Sequence, residues 1–348
     1  MTLQVGGTPV RCGSVSPMLL TQLEYFDALA RERHFGRAAA SCFVTTSTMS
    51  EAVRKLEAEF GVPLVNRGRS SFRDLTPEGE LLLTHIRRIL ADRRRLVEDL
   101  TAAGGNLSTT LRLGTVPSGD TRAAAVIARL TTAHPGVRVE VSTGIGSADL
   151  VEKLRSHDLD AAVIHPVDDI DGAVDLDGLA LTPMEPVRYA VVLTEGLVAT
   201  LGPGLGPSHG PDAGRDRISA VDLARLPVAL LSPGMLARTC FDRAMTSVGV
   251  SVAPTVESGS VASLTALAAT GRWAAVVPVG TPGVTSGDLR LLPLVDPVVE
   301  IPAAVARLAT RPVTRLGTAV DNAATGADTA DTGTNTGNAS EVSAGDMR

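Results

Sequence analysis

A chain of 348 residues exceeds the roughly 250 to 300 at which a single core stops growing, so two or three compact units are expected. Hydrophobic residues at 44% can supply those cores, and no run approaches the ~18 apolar residues of a membrane span, so a soluble protein is expected. The net charge of −6 would argue against nucleic acid only if it were evenly spread: residues 18–104 hold 13 Arg and Lys against 12 Asp and Glu, whereas the rest holds 19 against 26.

Residues 1–17 contain no charged segment followed by an apolar one, so they read as a flexible leader rather than an export signal, with Met18 as a candidate start. Cys12, Cys42 and Cys240 are too few and too scattered for a disulfide framework or a metal site, which fits a reducing cytoplasm and no cofactor. From Met18 the stretch LLTQLEYFDALARE is helix-like through Leu19, Leu23, Phe26 and Leu29.

Residues 34–62, HFGRAAASCFVTTSTMSEAVRKLEAEFGV, place two short helical patterns back to back. The second carries Met49, Val53, Leu56 and Phe60 on one face, and Thr45 stands where an N-cap belongs. This pattern predicts a helix-turn-helix. Thr46, Ser47, Thr48, Ser50, Glu51, Arg54 and Lys55 then point outward with hydrogen-bonding or charged groups, as a groove-reading helix requires; the competing reading is an αα-hairpin with a solvated face. Next comes VPLVNRGRSSFRDL, an apolar run, a basic turn and an apolar return, which suggests a wing whose Arg67, Arg69 and Arg73 can meet phosphate.

Thr76-Pro77-Glu78 opens a long helix that can run to Ala103. Along it Leu82, Ile86, Ile89, Leu96 and Leu100, interrupted by Arg93, repeat as a heptad seam, so homodimerisation is expected there. From Leu111 the texture becomes β-α-β-α-β, followed by a second such unit, which predicts two α/β lobes flanking a cleft. Residues 202–216 are rich in Gly and Pro and read as a mobile surface loop. The expected organisation is a leader (1–17), a winged helix-turn-helix DNA-binding domain (18–76), a linker and dimerisation helix (77–104), a two-lobed domain (105–316) and a disordered tail (317–348).

In this order the pieces resemble the LysR-type transcriptional regulators over roughly residues 18–315. The specific signal is QLEYFDALARERHFGRAAA, then VTTSTMSEAVRKLE, FGVPL-x-x-R and LTPEG. The resemblance implies an α/β chain with an N-terminal all-α winged helix-turn-helix and a two-lobed effector domain similar to periplasmic ligand-binding proteins. Its implied partners are double-stranded DNA at an operator or promoter, a small-molecule effector with carboxylates among the candidates, RNA polymerase, and further copies of the chain as a homodimer or homotetramer. Thr46-Ser47 replaces the Gln-Pro pair usual in the family, and Glu51 stands where an Arg often follows the Ser, so a different operator preference is expected.

In the effector half the resemblance points to Thr115, Pro117, Ser118, Gly146, Ser147, Ser232, Gly259 and Ser260 around the cleft, although each Ser can equally be a helix cap. Trp273 either narrows the cleft or packs beneath it. Two other classes compete. An enzyme finds little support, because the six His residues fall at no metal-ligand spacing and no nucleophile elbow, P-loop or dinucleotide fingerprint occurs. A ligand-binding protein without DNA binding leaves the N-terminal module unexplained.

Overall fold

The computed structural model describes residues 18–67, 72–101, 107–167, 174–201, 216–284, 287–310 and 312–326. The leader, Arg69, the 202–216 loop except Asp216, and residues 327–348 therefore lie outside the described residues.

Local signals set the N-terminal module. Helix α1 (Leu20–Glu32) is followed by α2 (Phe35–Ser41), which His34 caps by accepting the Gly36 N–H at Nδ1, 3.0 Å away. Helix α3 (Thr46–Phe60) starts at Thr45, whose Oγ1 accepts the Thr48 N–H at 3.2 Å, and closes on Gly61 in the left-handed region. Leu23, Phe26, Leu29, Ala38, Met49, Val53 and Leu56 make one buried core from all three helices. Strands β1 (Val65–Arg67) and β2 (Phe72–Leu75) pair antiparallel as the expected wing, with Phe72 edge-on to Phe35 at 6.4 Å.

Helix α4 (Pro77–Thr101) is begun by Thr76, which accepts the Gly79 N–H at 3.0 Å and donates to the Pro63 carbonyl at 2.7 Å. Gly79 is required there, because a Cβ would run into the Leu64 carbonyl oxygen. The seam expected along this helix divides in two. Ile86 is fully buried in the chain's own winged-helix core and Leu82 packs against it, so both are corrected to core residues, whereas Ile89, Leu96 and Leu100 face outward together with Leu81 and Val97. Arg93 reaches Glu24 of α1 within the same chain.

Beyond α4, β3 (Thr109–Thr115), β4 (Val137–Ser142) and β5 (Ala161–Ile164) form a parallel set, covered by α5 (Asp120–Ala133) and α6 (Ser147–Arg155). Strand β6 (Leu179–Thr194) crosses into the second lobe, which adds α7 (Glu195–Thr200), β7 (Ile218–Ser219), α8 (Ala220–Leu223), β8 (Val228–Leu231), α9 (Leu236–Ser247), β9 (Pro254–Ser258), α10 (Val261–Ala269), β10 (Ala274–Pro278) and β11 (Leu289–Val295). Strand β12 (Glu300–Leu308) returns antiparallel to β6 and β5. The resulting order is β4-β3-β5-β12-β6-β10-β8-β9.

Residues 179–188 of β6 pair with β12, and residues 189–192 pair with β10, so one strand serves both lobes. Its ladder with β12 is interrupted between Ile301 and Ala303, at Pro302 and opposite Glu185-Pro186. Proline has no N–H to donate, and a bulge is where a sheet accommodates that loss.

The last element corrects the expected tail. Helix α11 (Arg315–Thr325) is ordered, capped by Thr314, and packs Leu316, Ala319, Val320, Ala323 and Ala324 into the first lobe's core beside α5. Arg307 of β12 holds Asp321 on it through a two-pronged ion pair. The first lobe therefore needs residues well past 317.

Candidate functional site

Two sites emerge. On α3, Thr45 to Thr48, Glu51, Arg54 and Lys55 are exposed and Ser50 is half-buried, while Met49, Ala52, Val53 and Leu56 fill the core behind them. The outward row is thus free of packing duty. Glu51 is tied to Lys55 one turn on at 3.0 Å, and Arg54 donates to Ser50 Oγ at 3.4 Å. The Glu51 carboxylate is therefore partly neutralised by a partner on its own helix. Phe43, in the turn before α3, is 96% exposed with φ +57°. Arg73 is exposed on β2, and the Arg67 side chain lies outside the described residues.

The second site lies where the strands of the first lobe end. After β3, residues Pro117–Gly119 make a single 3-10 turn leading into α5, which buries Ser118. Directly across is His165, at the end of β5 and 1% exposed. Its Nε2 is 2.7 Å from Ser118 Oγ, its Nδ1 is 2.7 Å from the Pro302 carbonyl oxygen, and its backbone N–H donates to Ser147 Oγ at 3.3 Å. A carbonyl only accepts, so Nδ1 carries the proton. Burial pushes the His165 pKa down to about 4, so the ring is neutral at neutral pH and Nε2 is an acceptor. Ser118 consequently donates its only proton to His165.

The bulge in β12 is satisfied from the same side. Arg122, in the first turn of α5, donates to the Glu185 carbonyl at 2.8 Å and to that of Pro186. All three carbonyls of the interruption, at residues 185, 186 and 302, thus accept from first-lobe side chains. Tyr189, two residues beyond the buried Val187 on β6, is 5% exposed. Its hydroxyl lies within hydrogen-bonding reach of Ser118 of one lobe, with Cys240 of the other nearby, and burial pushes its pKa up.

The structure therefore gathers Ser118 and Ser147 around His165. Thr115, the last residue of β3, and Pro117, in the turn after it, are buried beside them. Gly146 caps α6 with no side chain and with open space where a Cβ would point, leaving that helix end uncovered. In the second lobe the Ser232 N–H donates to the Ser258 carbonyl at 3.0 Å, joining the ends of β8 and β9. Gly259 follows, and Ser260 caps α10 by accepting the Ser263 N–H at 3.3 Å. Ser260 is thus engaged as a cap.

Trp273 lies elsewhere. It precedes Ala274, opposite the start of β8, whereas Tyr189 pairs with Pro278 at the far end of β10. Its ring packs against the second lobe's core under the Arg272 guanidinium, 5.1 Å away, and does not enter the cleft. His165, Tyr189 and Arg122 were not picked out by sequence, because nothing near them in the chain marks them.

A helix-turn-helix with a wing, a long helix and a two-lobed α/β domain define a class, and the comparisons agree with it. The family described as "Bacterial regulatory helix-turn-helix protein, lysR family" matches residues 20–80, and "LysR substrate binding domain" matches residues 104–321. The chain belongs to the LysR family. The "SDS degradation transcriptional activation protein" of Pseudomonas sp. (strain ATCC 19151) is 32% identical over 211 residues, which is 60% of this chain and 63% of that protein, so the match spans less than two thirds of the relative's length. A full-length cysteine-to-aspartate variant of OxyR from Pseudomonas aeruginosa superposes with a TM-score of 0.64 at 26% identity, over 88% of this chain and 94% of that one. Full-length CbnR complexed with its target DNA has the same fold, with a TM-score of 0.64 at 17% identity over 88% and 99%.

Because His165 is held neutral, its pKa is depressed relative to the unfolded chain. The unfolded state then binds a proton at pH values where the native state does not, so stability falls as pH drops from about 6.5 towards 4. The full shift corresponds to about 3 kcal/mol. Thermal melts of wild type and His165→Gln between pH 7 and 4.5 should show the wild type losing its advantage across this window. A constant gap between the two proteins would contradict the assignment.

Proposed function

We propose that this chain is a ligand-responsive transcriptional regulator that binds double-stranded DNA through α3 and the wing as a homo-oligomer. The carrying observation is the row of exposed, hydrogen-bonding side chains on α3 from Thr46 to Lys55, none of which the fold uses for packing. Such a helix can lie in a major groove with its polar edge on the bases while wing arginines meet phosphate. Selection from a random duplex library with the full chain should enrich one motif repeated with two-fold symmetry. Recovery of unpatterned DNA, unaffected by Arg54→Ala, would reject the reading.

Two substitutions separate reading from positioning. Glu51→Gln removes the partner of Lys55 and should change base preference at one position, by about 1 to 3 kcal/mol, when affinities are compared across an operator library. Arg73→Ala should weaken all sequences alike and reduce the salt slope by about one counterion. Unchanged relative affinities in the first case, or an unchanged slope in the second, would remove that residue from the interface.

The cleft between the lobes supports an effector site. The open N-terminus of α6 presents the N–H groups of Ser147, Ala148 and Asp149, which have no intrahelical carbonyl to bind, beside a neutral His165. A small carboxylate is the ligand this end favours. Ligand acts by binding one arrangement of the lobes better than another. Catalysis is not part of this reading: Ser118 is 2% exposed, and a histidine with a pKa of about 4 is a weak base at neutral pH. A DNA target places the action of the chain in the cytoplasm. Among the described residues no helix is long and apolar enough to cross a membrane.

A further inference from the structure

The junction of α1 and α2 carries side chains that the fold does not use. Arg33 ends α1 with φ +49°, a left-handed position that glycine ordinarily takes because a Cβ is strained there. The residue is exposed, and among the described residues its guanidinium has no hydrogen bond or ion pair, so nothing inside the protein offsets the strain. His34 follows. Its Nδ1 accepts the N–H groups of Gly36 at 3.0 Å and Arg37 at 3.2 Å, and Gly36 lies close under the ring, where a Cβ would come within 3.0 Å of Cε1. An accepting Nδ1 carries no proton, so the proton of the ring sits on Nε2. That N–H is a donor held in one orientation, on an exposed residue and with no partner among the described residues. Arg31 and Arg37 flank the pair and share one acid, Glu32, at 3.7 and 3.6 Å, which leaves the patch with a surplus of positive charge.

We propose that Arg33 and His34 form a phosphate clamp on the DNA backbone, in which Arg33 supplies charge and His34 a neutral, pre-oriented N–H. The clamp rests on the DNA-binding reading above and adds to it a contact outside both α3 and the wing. Its position is continuous with the wing: Phe35, the first residue of α2, meets Phe72 of β2 edge-on, and the exposed Arg73 is next in that strand. In a helix-turn-helix the first helix crosses the sugar-phosphate backbone while the second enters the groove, so the start of α2 lies where phosphates pass. The two side chains also divide the work. A guanidinium displaces a counterion from the phosphate it meets, whereas a neutral imidazole N–H adds a hydrogen bond and displaces none.

The test is titration of the full chain with a labelled duplex taken from the random-library selection, and with an unrelated duplex, at several salt concentrations. Arg33→Gly should bind both about tenfold more weakly, with a salt slope shallower by about one for each subunit on the DNA. It should melt no lower than wild type, since glycine relieves the left-handed strain. His34→Ser keeps a preferred N-cap but gives up the reach of Nε2, so affinity should fall about fivefold at an unchanged slope. Neither variant should alter the ranking of operator sequences, because phosphate contacts carry no base information. Wild-type affinity in either variant overturns the clamp, and so does a changed ranking. A variant that melts well below wild type shows the side chain working within the fold, which also overturns it. Loss of binding in Arg54→Ala alone leaves the DNA reading in place and removes only the clamp; recovery of unpatterned DNA by the wild type removes both.

Discussion

Replacing Leu96 and Leu100 together by Asp should yield a folded chain that no longer self-associates and that binds operator DNA at least about 100-fold more weakly. Both side chains are on α4, 59% and 68% exposed, and Leu81, Ile89 and Val97 extend the same apolar surface along the helix. A surface of this kind on a 25-residue helix is stable in water when another copy covers it. Two half-sites engaged by one assembly benefit from effective concentration, and a monomer forfeits that benefit. Ile86→Asp provides the contrast. Ile86 is 0% exposed in the winged-helix core, so an unpaired charge there should cost more than about 4 kcal/mol and unfold the module. Sedimentation that shows an intact assembly in the Leu96, Leu100 double variant would assign the surface to some other role.

Arg87→Ala should disconnect the DNA-binding module from the effector lobes. The Arg87 guanidinium donates to Asp27 of α1 at 3.1 Å and to Asp158, just before β5, also at 3.1 Å, and its side chain is only 19% exposed. Arg94 adds a weaker contact to Asp160, which is itself held by Arg112. One side chain on α4 thus clasps a carboxylate from each domain. Removing it leaves both without that partner, at a cost on the order of 1 to 3 kcal/mol. Melting should separate into two transitions, and affinity for DNA without ligand should change by less than about threefold while the response to ligand falls. Arg87→Lys should lie between, since an ammonium cannot reproduce the two-directional fork. A single transition at the wild-type temperature would show that the contact carries no coupling.

Much of the N-terminal module was legible because its signals are local. Thr45 as cap, Gly61 as terminator and the spacing of Met49, Val53 and Leu56 all act within one or two turns. The α4 stripe was legible as apolar but not in its allegiance, since spacing alone does not say which core a face serves; Ile86 went to its own domain and Leu96 to the surface. Strand β6 is legible in the sequence only from Val187 onward, because Pro183 and Pro186 argue against a strand and only the paired β12 shows how the sheet tolerates them. Helix α11 was missed because alanines and threonines resemble the biased tail that follows, and Arg307, which holds Asp321, is eight residues before the helix begins. The cleft was legible as a place through Ser118 and Ser147. Its chemistry was not, since His165, Pro302 and Tyr189 meet only after three strands have been brought together.

The interruption at Pro302 also limits how the lobes can move. Where β6 and β12 fail to pair, the carbonyls of residues 185, 186 and 302 are gripped by Arg122 and His165, both anchored in the first lobe. The two strands are therefore pinned at that level, so a relative motion of the lobes is expected to be a rotation about the pin and not a slide past it. In such a rotation displacement grows with distance, so a small shift at Ser118 would become a larger one at β9, the outer edge of the sheet. The far rim of the second lobe is accordingly where a labelled probe should report the largest change when a ligand binds beside the pin.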